Sequence, residues 1–420
     1  MYLDRSRSRH TSPRRIAILI ILIGAGLFVI ANQNALRQQL IPPPTPTATR
    51  TARSYVVEAQ SLAEAGQIDD AIGSYIQATA LDSANIDVLI DLSRLLALTQ
   101  RSDEAVQWAL RAAQLSPQSA KAKAALAMAL DWNAASLEGR GRVVDAQPEY
   151  QQAIDAAHAA ISIDPNYPEA YAYLAETYAD LNRWADAIAA AQKAVDLNPN
   201  RVDVQRALGY VRESQGNYSG AAQAYEQALK FAPNLPYLYI VLGRNYRVIA
   251  SVSDASKYQK AIDAFKRAVA IDSNNVVAYD ELGWSYYNFD QLTEAQKALE
   301  QAVAIDPQSW SAAEHLAVTY YARRNYEDAS VTFKTAIGLM NQTFDGDHYC
   351  VTSTSRACDR LIEAYYTVGL AFYYLSKCET ESYPAFQKAL VLRPDEPNAK
   401  FGIQLCNDAL VTPTPTPKPK

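Results

Sequence analysis

The sequence predicts an all-α protein, a right-handed α-solenoid of about nine helix-turn-helix repeats plus a C-terminal capping helix, preceded by one N-terminal transmembrane helix. Three observations predict it. A phrase of small and aliphatic residues returns every 34 residues through most of the 420-residue chain. Residues 16–31, IAILIILIGAGLFVIA, are sixteen residues without a charge, and Pro/Thr-rich stretches flank the repeated part on both sides. A fixed period of this length marks units that bury their apolar faces against their neighbours.

Residues 1–15 form a basic leader with Arg5, Arg7, Arg9, Arg14 and Arg15 against Asp4. Positive charge before an apolar helix holds that end on the cytoplasmic side, so the body is expected outside, on a single-pass anchor over residues 16–34. The competing reading is a cleaved signal sequence, because Val29, Ile30 and Ala31 offer small or modest residues before a cut, and the body is then secreted. Residues 35–53 are a Pro/Thr-rich linker, and residues 411–420, VTPTPTPKPK, are a tail of similar composition, expected to be disordered. Such stretches cannot build a core and run extended as spacers. The solenoid is expected between them, over residues 54–410.

Charge narrows the partners. The net charge is -6, but the leader carries +4, Arg37, Arg50 and Arg53 add +3, and Lys418 and Lys420 add +2. That leaves about -15 on residues 54–410. A body this acidic repels phosphate backbones, so no nucleic acid is expected as a partner.

The repeat is clearest in the second half of each unit, a helix ending in Ala-aliphatic and then aliphatic-Asp-Pro. It reads AIAAAQKAVDLNPN at 187–200, AAQAYEQALKFAPN at 221–234 and AQKALEQAVAIDPQ at 295–308. The first half carries Leu and a small residue with an aromatic three positions on, as in Leu174-Ala175 with Tyr178 and Leu242-Gly243 with Tyr246. On these residues the unit resembles the tetratricopeptide repeat, over roughly residues 52–410. Small residues let paired helices approach closely, aromatic rings fill the holes left, and Pro ends the second helix. Three insertions interrupt the phase, around 133–150, 251–257 and 340–360, and are expected as loops. A short helix after Gln404, with Leu405, Asp408 and Leu410, is expected as a solubilising cap.

All four cysteines, Cys350, Cys358, Cys378 and Cys406, lie near the C-terminus. An even, clustered set on an exported body favours two disulfides over four free thiols. A continuous helix between Cys358 and Cys378 would hold them about 30 Å apart, which excludes that pair. The preferred pairing closes the inserted loop with Cys350–Cys358 and ties the cap with Cys378–Cys406.

Catalytic signatures are missing. There is no Gly-x-x-x-x-Gly-Lys-Ser/Thr, no Gly-x-Ser-x-Gly and no His-Glu-x-x-His, and Cys-x-x-Cys is absent too. No enzyme activity, cofactor or metal is expected; Asp345, Asp347 and His348 read as a solvated turn. The resemblance instead implies binding in a concave groove lined by the first helices. Its groove positions fall here on Arg206, Tyr210, Tyr237, Arg244, Arg247, Trp284, Tyr287, Asn288, His315 and Tyr321. Aromatic residues with arginine suit recognition, giving contact area and planar donors at low entropy cost. The expected function is a membrane-anchored extracytoplasmic scaffold that binds other proteins or peptides and organises an envelope-associated assembly. The alternative is a glycan- or peptide-binding module serving as sensor or carrier at the cell surface. The sequence leaves the oligomeric state open.

Overall fold

The computed structural model describes residues 12–31, 50–344, 350 and 356–411. The chain forms two units, Met1–Thr51 and Ala52–Lys420. In the first unit the described element is α1, Pro13–Ala31, whose described side chains are exposed. Its uncharged stretch of sixteen residues spans about 24 Å at 1.5 Å per residue, short of the ~30 Å of a hydrocarbon core. Among the described residues no helix is long and apolar enough to cross a membrane. A helix thus forms where the anchor was expected over residues 16–34, but over Pro13–Ala31, and it does not meet the length of a membrane span. The leader to residue 11, linker residues 32–49, the tail from 412, and Asp345, Asp347 and His348 lie outside the described residues.

The second unit is a chain of nine helix pairs with no strand among the described residues. The pairs are α2 Ala52–Ala65 with α3 Ile68–Leu81, α4 Ile86–Leu98 with α5 Ser102–Leu115, and α6 Ala120–Gly139 with α7 Val143–Ile163. Next come α8 Pro168–Asp180 with α9 Trp184–Leu197, α10 Val202–Ser214 with α11 Tyr218–Phe231, and α12 Pro236–Val252 with α13 Lys257–Ile271. The series ends with α14 Val276–Asn288 and α15 Leu292–Ile305, α16 Trp310–Ala322 and α17 Tyr326–Phe344, and α18 Arg356–Tyr374 with α19 Tyr383–Leu392. A π-helical turn, Cys378–Ser382, precedes α19, and α20, Pro397–Val411, closes the array.

The recurring residues have identifiable jobs. The first helix ends on a residue at positive φ: Gly66, Gln100, Gly141, Asn182, Gly216, Asp290, Arg324 or Ser376. This reverses the chain into the second helix. The Asp of the aliphatic-Asp-Pro phrase then makes the inter-unit turn, its carboxylate accepting from the N–H two residues on: 2.9 Å for Asp164 to Asn166, 2.9 Å for Asp306 to Gln308. Asn85, Ser119, Asn275 and Ser309 cap the helices that follow.

The close seam within each pair is built from small residues. Ala187, Ala221, Ala261, Ala295 and Ala329, and again Ala194, Ala228, Ala268, Ala302 and Ala336, are fully buried. One large ring of the second helix seats against a small residue of the first. A Cβ added at Gly209 would stand 2.7 Å from Tyr225, and one at Gly243 would stand 2.7 Å from Phe265. Phe386 serves both Gly369 and Gly402, so a single ring locks α18, α19 and α20 together.

The structure departs from the expected loops at the first two insertions. Residues 133–150 extend helices instead, giving α6 20 residues and α7 21, with Pro148 inside α7 as its sixth residue. Residues 251–257 are partly absorbed into α12, which runs 17 residues. Extending a helix pairs most of the added backbone groups within the chain, although Pro148 supplies no N–H. The cap also differs: α20 begins at Pro397 and leaves Phe401, Leu410 and Val411 exposed, so its outer face is not wholly polar. The cysteines are joined as Cys350 to Cys358 and Cys378 to Cys406, with Cα–Cα distances of 5.2 and 5.4 Å.

Candidate binding groove

Side chains on first helices of non-neighbouring units meet, which shows that these helices line the inside of a tight superhelix. Arg94 on α4 pairs with Asp203 on α10 at 2.6 Å, and Trp132 on α6 lies 5.4 Å from Tyr237 on α12. The groove-facing positions therefore divide between two environments.

In the earlier half, the inside is filled by the chain itself. Arg206 was expected on the groove surface, but it is buried, 3% exposed. It pairs with Glu176 at 2.9 Å and lies 4.9 Å above the Trp132 ring. The indole of Trp132 donates to the same Glu176 at 3.3 Å. Tyr210 donates to Asp180, and burial pushes the Tyr210 hydroxyl well above its usual range, with the Asp180 charge next. Tyr237, under the Trp132 ring, is pushed up to about 12, chiefly by burial. Arg206, Tyr210 and Tyr237 are thus committed to contacts within the chain. The cavity between Arg94, Tyr173 and Asp203 is about 40 Å³, and a larger, more open one of about 300 Å³ lies on the other side of the Arg94–Asp203 pair, against Asn200, Val202 and Phe231.

Beneath this lies a pair of carboxyls that the sequence reading passed over. Asp131 on α6 is buried, with its Oδ1 left without a hydrogen-bond partner, and the half-buried Asp180 on α8 acts on it as a neighbouring charge. Burial raises both: Asp180 to about 7, and Asp131 well above the carboxylate range with the Asp180 charge adding to it. Burial together with a nearby like charge disfavours ionising both groups at once. Its signal in the sequence was a charge in the alanine-rich run MALDWNAA, where helical spacing demands an apolar residue.

In the later half, contacts link neighbouring first helices and leave a partly accessible row. Arg244 and Arg247 on α12 both grip Glu281 on α14, each at 2.6 Å. Burial works to raise the Glu281 carboxyl, but the two guanidinium groups outweigh it and hold it down at about 2. Trp284 stacks on His315 at 4.1 Å and on Tyr287 at 4.7 Å. His315 is fixed by Asp280 at 2.6 Å, so it serves as a wall of the groove. Asn288 is exposed and donates to the Trp284 carbonyl at 2.6 Å. Tyr321 meets Tyr326 and Tyr374, which stack on each other at 4.5 Å. Further along, Arg360 on α18 pairs with Glu314 and lies over Trp310. Among the described residues, no group of three or more His, Cys, Asp or Glu side chains is arranged to hold a metal ion.

Helix pairs of one period, seamed by alanine and curved so that the first helices face inward, define an α-helical repeat solenoid. The family model described as tetratricopeptide repeat matches residues 56–120 and 174–236. A second model, described as the CABIN1 N-terminal domain, matches residues 238–337. No curated protein matches the chain. Similar solved structures include MamA protein, 23% identical, covering 46% of this chain and 92% of that one at a TM-score of 0.36. The C-terminal part of a TPR repeat-containing protein from Cytophaga hutchinsonii is 17% identical, covering 65% and 99% at 0.44. The human IFIT1 dimer with m7Gppp-AAAA is 16% identical, covering 88% and 83% at 0.49. Such values describe similar helical-repeat arrangements and carry nothing about what this chain binds.

Proposed function

We propose that this chain is a non-catalytic scaffold that binds a protein or peptide partner along the first helices α12, α14, α16 and α18. The observation that carries it is the row of accessible arginine and aromatic side chains there, held in fixed rotamers by contacts with neighbouring helices. Side chains ordered before binding lose less entropy on binding, which is how a groove gains affinity. A peptide suits the row better than a glycan. Trp284 already stacks on His315 and Tyr287, which uses ring surface that a sugar would need.

The proposal extends to an extracytoplasmic body at the cell envelope, held there or exported by α1. The arginines before α1, the apolar character of α1 and the two disulfides support that reading. The test is capture from detergent-solubilised membranes with the full chain and with a Trp284→Ala, Tyr321→Ala variant. Loss of specific co-purifying proteins is expected, with helicity and melting retained. An unchanged set of captured proteins would sink the groove assignment.

A further inference from the structure

A solenoid ordinarily holds together through contacts between adjacent units. Here the first superhelical turn makes additional contacts with itself. Arg94 reaches Asp203, 109 residues on, at 2.6 Å, joining the first helices of the second and fifth units. Trp132 and Tyr237 join the third and sixth units at 5.4 Å, with Arg206 over the same indole at 4.9 Å. At the rim the first unit meets the junction of the fifth and sixth, where the Asn234 side-chain amide donates to the Glu64 carbonyl at 3.1 Å.

Gly66 shows that this closure shapes the sequence. It sits at the positive-φ turn of the first unit, with φ +84°. The equivalent turns use Gln100, Asn182, Asp290, Arg324 and Ser376 at φ between 57° and 62°, so the turn alone does not demand glycine. A Cβ on Gly66, however, would stand 2.1 Å from Cγ2 of Ile271 and 2.5 Å from the backbone oxygen of Asn234. Gly216 occupies the same turn at φ +75°, and a Cβ there would meet open space. Residue 66 must be small because a unit about 200 residues away in the sequence, near Ile271, presses on it.

We propose that the first six units form an intramolecular clasp, in which the chain's own side chains occupy the concave face from α4 to α12. A partner reaches that face only when the clasp opens, and binding in the closed state is confined to the later units. The clasp's most accessible contact is the Arg94–Asp203 ion pair, with 38% of the arginine side chain and 13% of the aspartate exposed. Pairs of that kind are weak and salt-sensitive. The confinement of binding to the later units rests on the proposed groove, whereas the clasp is read from contacts within the chain and tested by a distance, not by binding.

The experiment measures the distance across the rim in the full chain, with spin labels on Gln60→Cys and Lys230→Cys, both exposed positions. The four native cysteines are joined in disulfides and do not take label. At low salt one narrow, short-distance population is expected. Gly66→Asn keeps a residue that tolerates positive φ but adds bulk, and should give a longer mean distance and a broader distribution. Gly216→Asn should leave the distribution unchanged. A second variant, Arg94→Ala with Trp132→Ala, should widen it without touching the rim. Widening in either variant, with the Gly216→Asn control unmoved, supports the clasp. No widening in both, equal widening in the control, or a broad long-distance distribution in the unmodified protein overturns it.

Discussion

Replacing Asp180 by Asn tests whether the buried carboxyl pair governs the stability of the early units. In the folded chain the Asp180 carboxyl is raised to about 7 from an ordinary value of 3.8, first by burial, with Glu176 and Glu138 adding to it. Tyr210 donates to it and works the other way. A group whose folded pKa is raised binds its proton more tightly when folded. Its stabilisation is complete below the unfolded value and is lost as pH rises through the folded one. Between pH 5 and pH 8 a single proton with these values accounts for a loss of about 2.5 kcal/mol. Asp180 is only half-buried, so water screens part of this, and a loss of about 1–2.5 kcal/mol is expected. Asn mimics the protonated carboxyl and still accepts from Tyr210. Urea unfolding at pH 5 and pH 8 at fixed ionic strength measures both proteins. The native chain should lose stability over that range, and Asp180→Asn should lose at least 1 kcal/mol less (about one pKa unit). Identical pH dependence in the two proteins would refute a raised Asp180 carboxyl. The two aspartates titrate as a coupled pair, so Asp131→Asn should flatten the same window.

Two further predictions concern the later units. Glu281 is held at about 2 against an ordinary 4.5, so its contribution is present above 4.5 and lost as pH falls through 2. Acid unfolding from pH 5 to pH 2 should therefore cost about 3 kcal/mol less in Glu281→Gln, on top of a lower starting stability caused by unpairing Arg244 and Arg247. Phe386→Ala should destabilise the last unit by about 3–5 kcal/mol, because the fully buried ring fills the space against both Gly369 and Gly402. Hydrogen exchange should show the loss concentrated in α18, α19 and α20, and uniform loosening along the solenoid would contradict the local-lock reading.

Much of the architecture was legible because the repeat is a local code. The alanine seam, the small residue after Leu, the aspartate turn and the positive-φ reversal each act within some 34 residues, and each reappears in the structure as a specific contact. Groove positions on the later first helices, from Arg244 to Tyr321, could be projected from the same period. The insertion at 133–150 was not legible as helix, since length alone does not distinguish a loop from two extra turns, and Pro148 argues locally against a continuous helix.

What the sequence by itself determined, then, is the unit, its number and its order: nine helix pairs with a closing helix, cysteines gathered at the end, and an apolar helix before the repeats. The tertiary structure alone decided how far the array curls. Curl is the sum of small rotations between successive units, and an error of a few degrees per unit, accumulated over three to six units, separates an open groove from a closed one. That sum brings Arg94 to Asp203 and Gly66 against Ile271. It also buries Arg206, which the repeat's period places on the binding face.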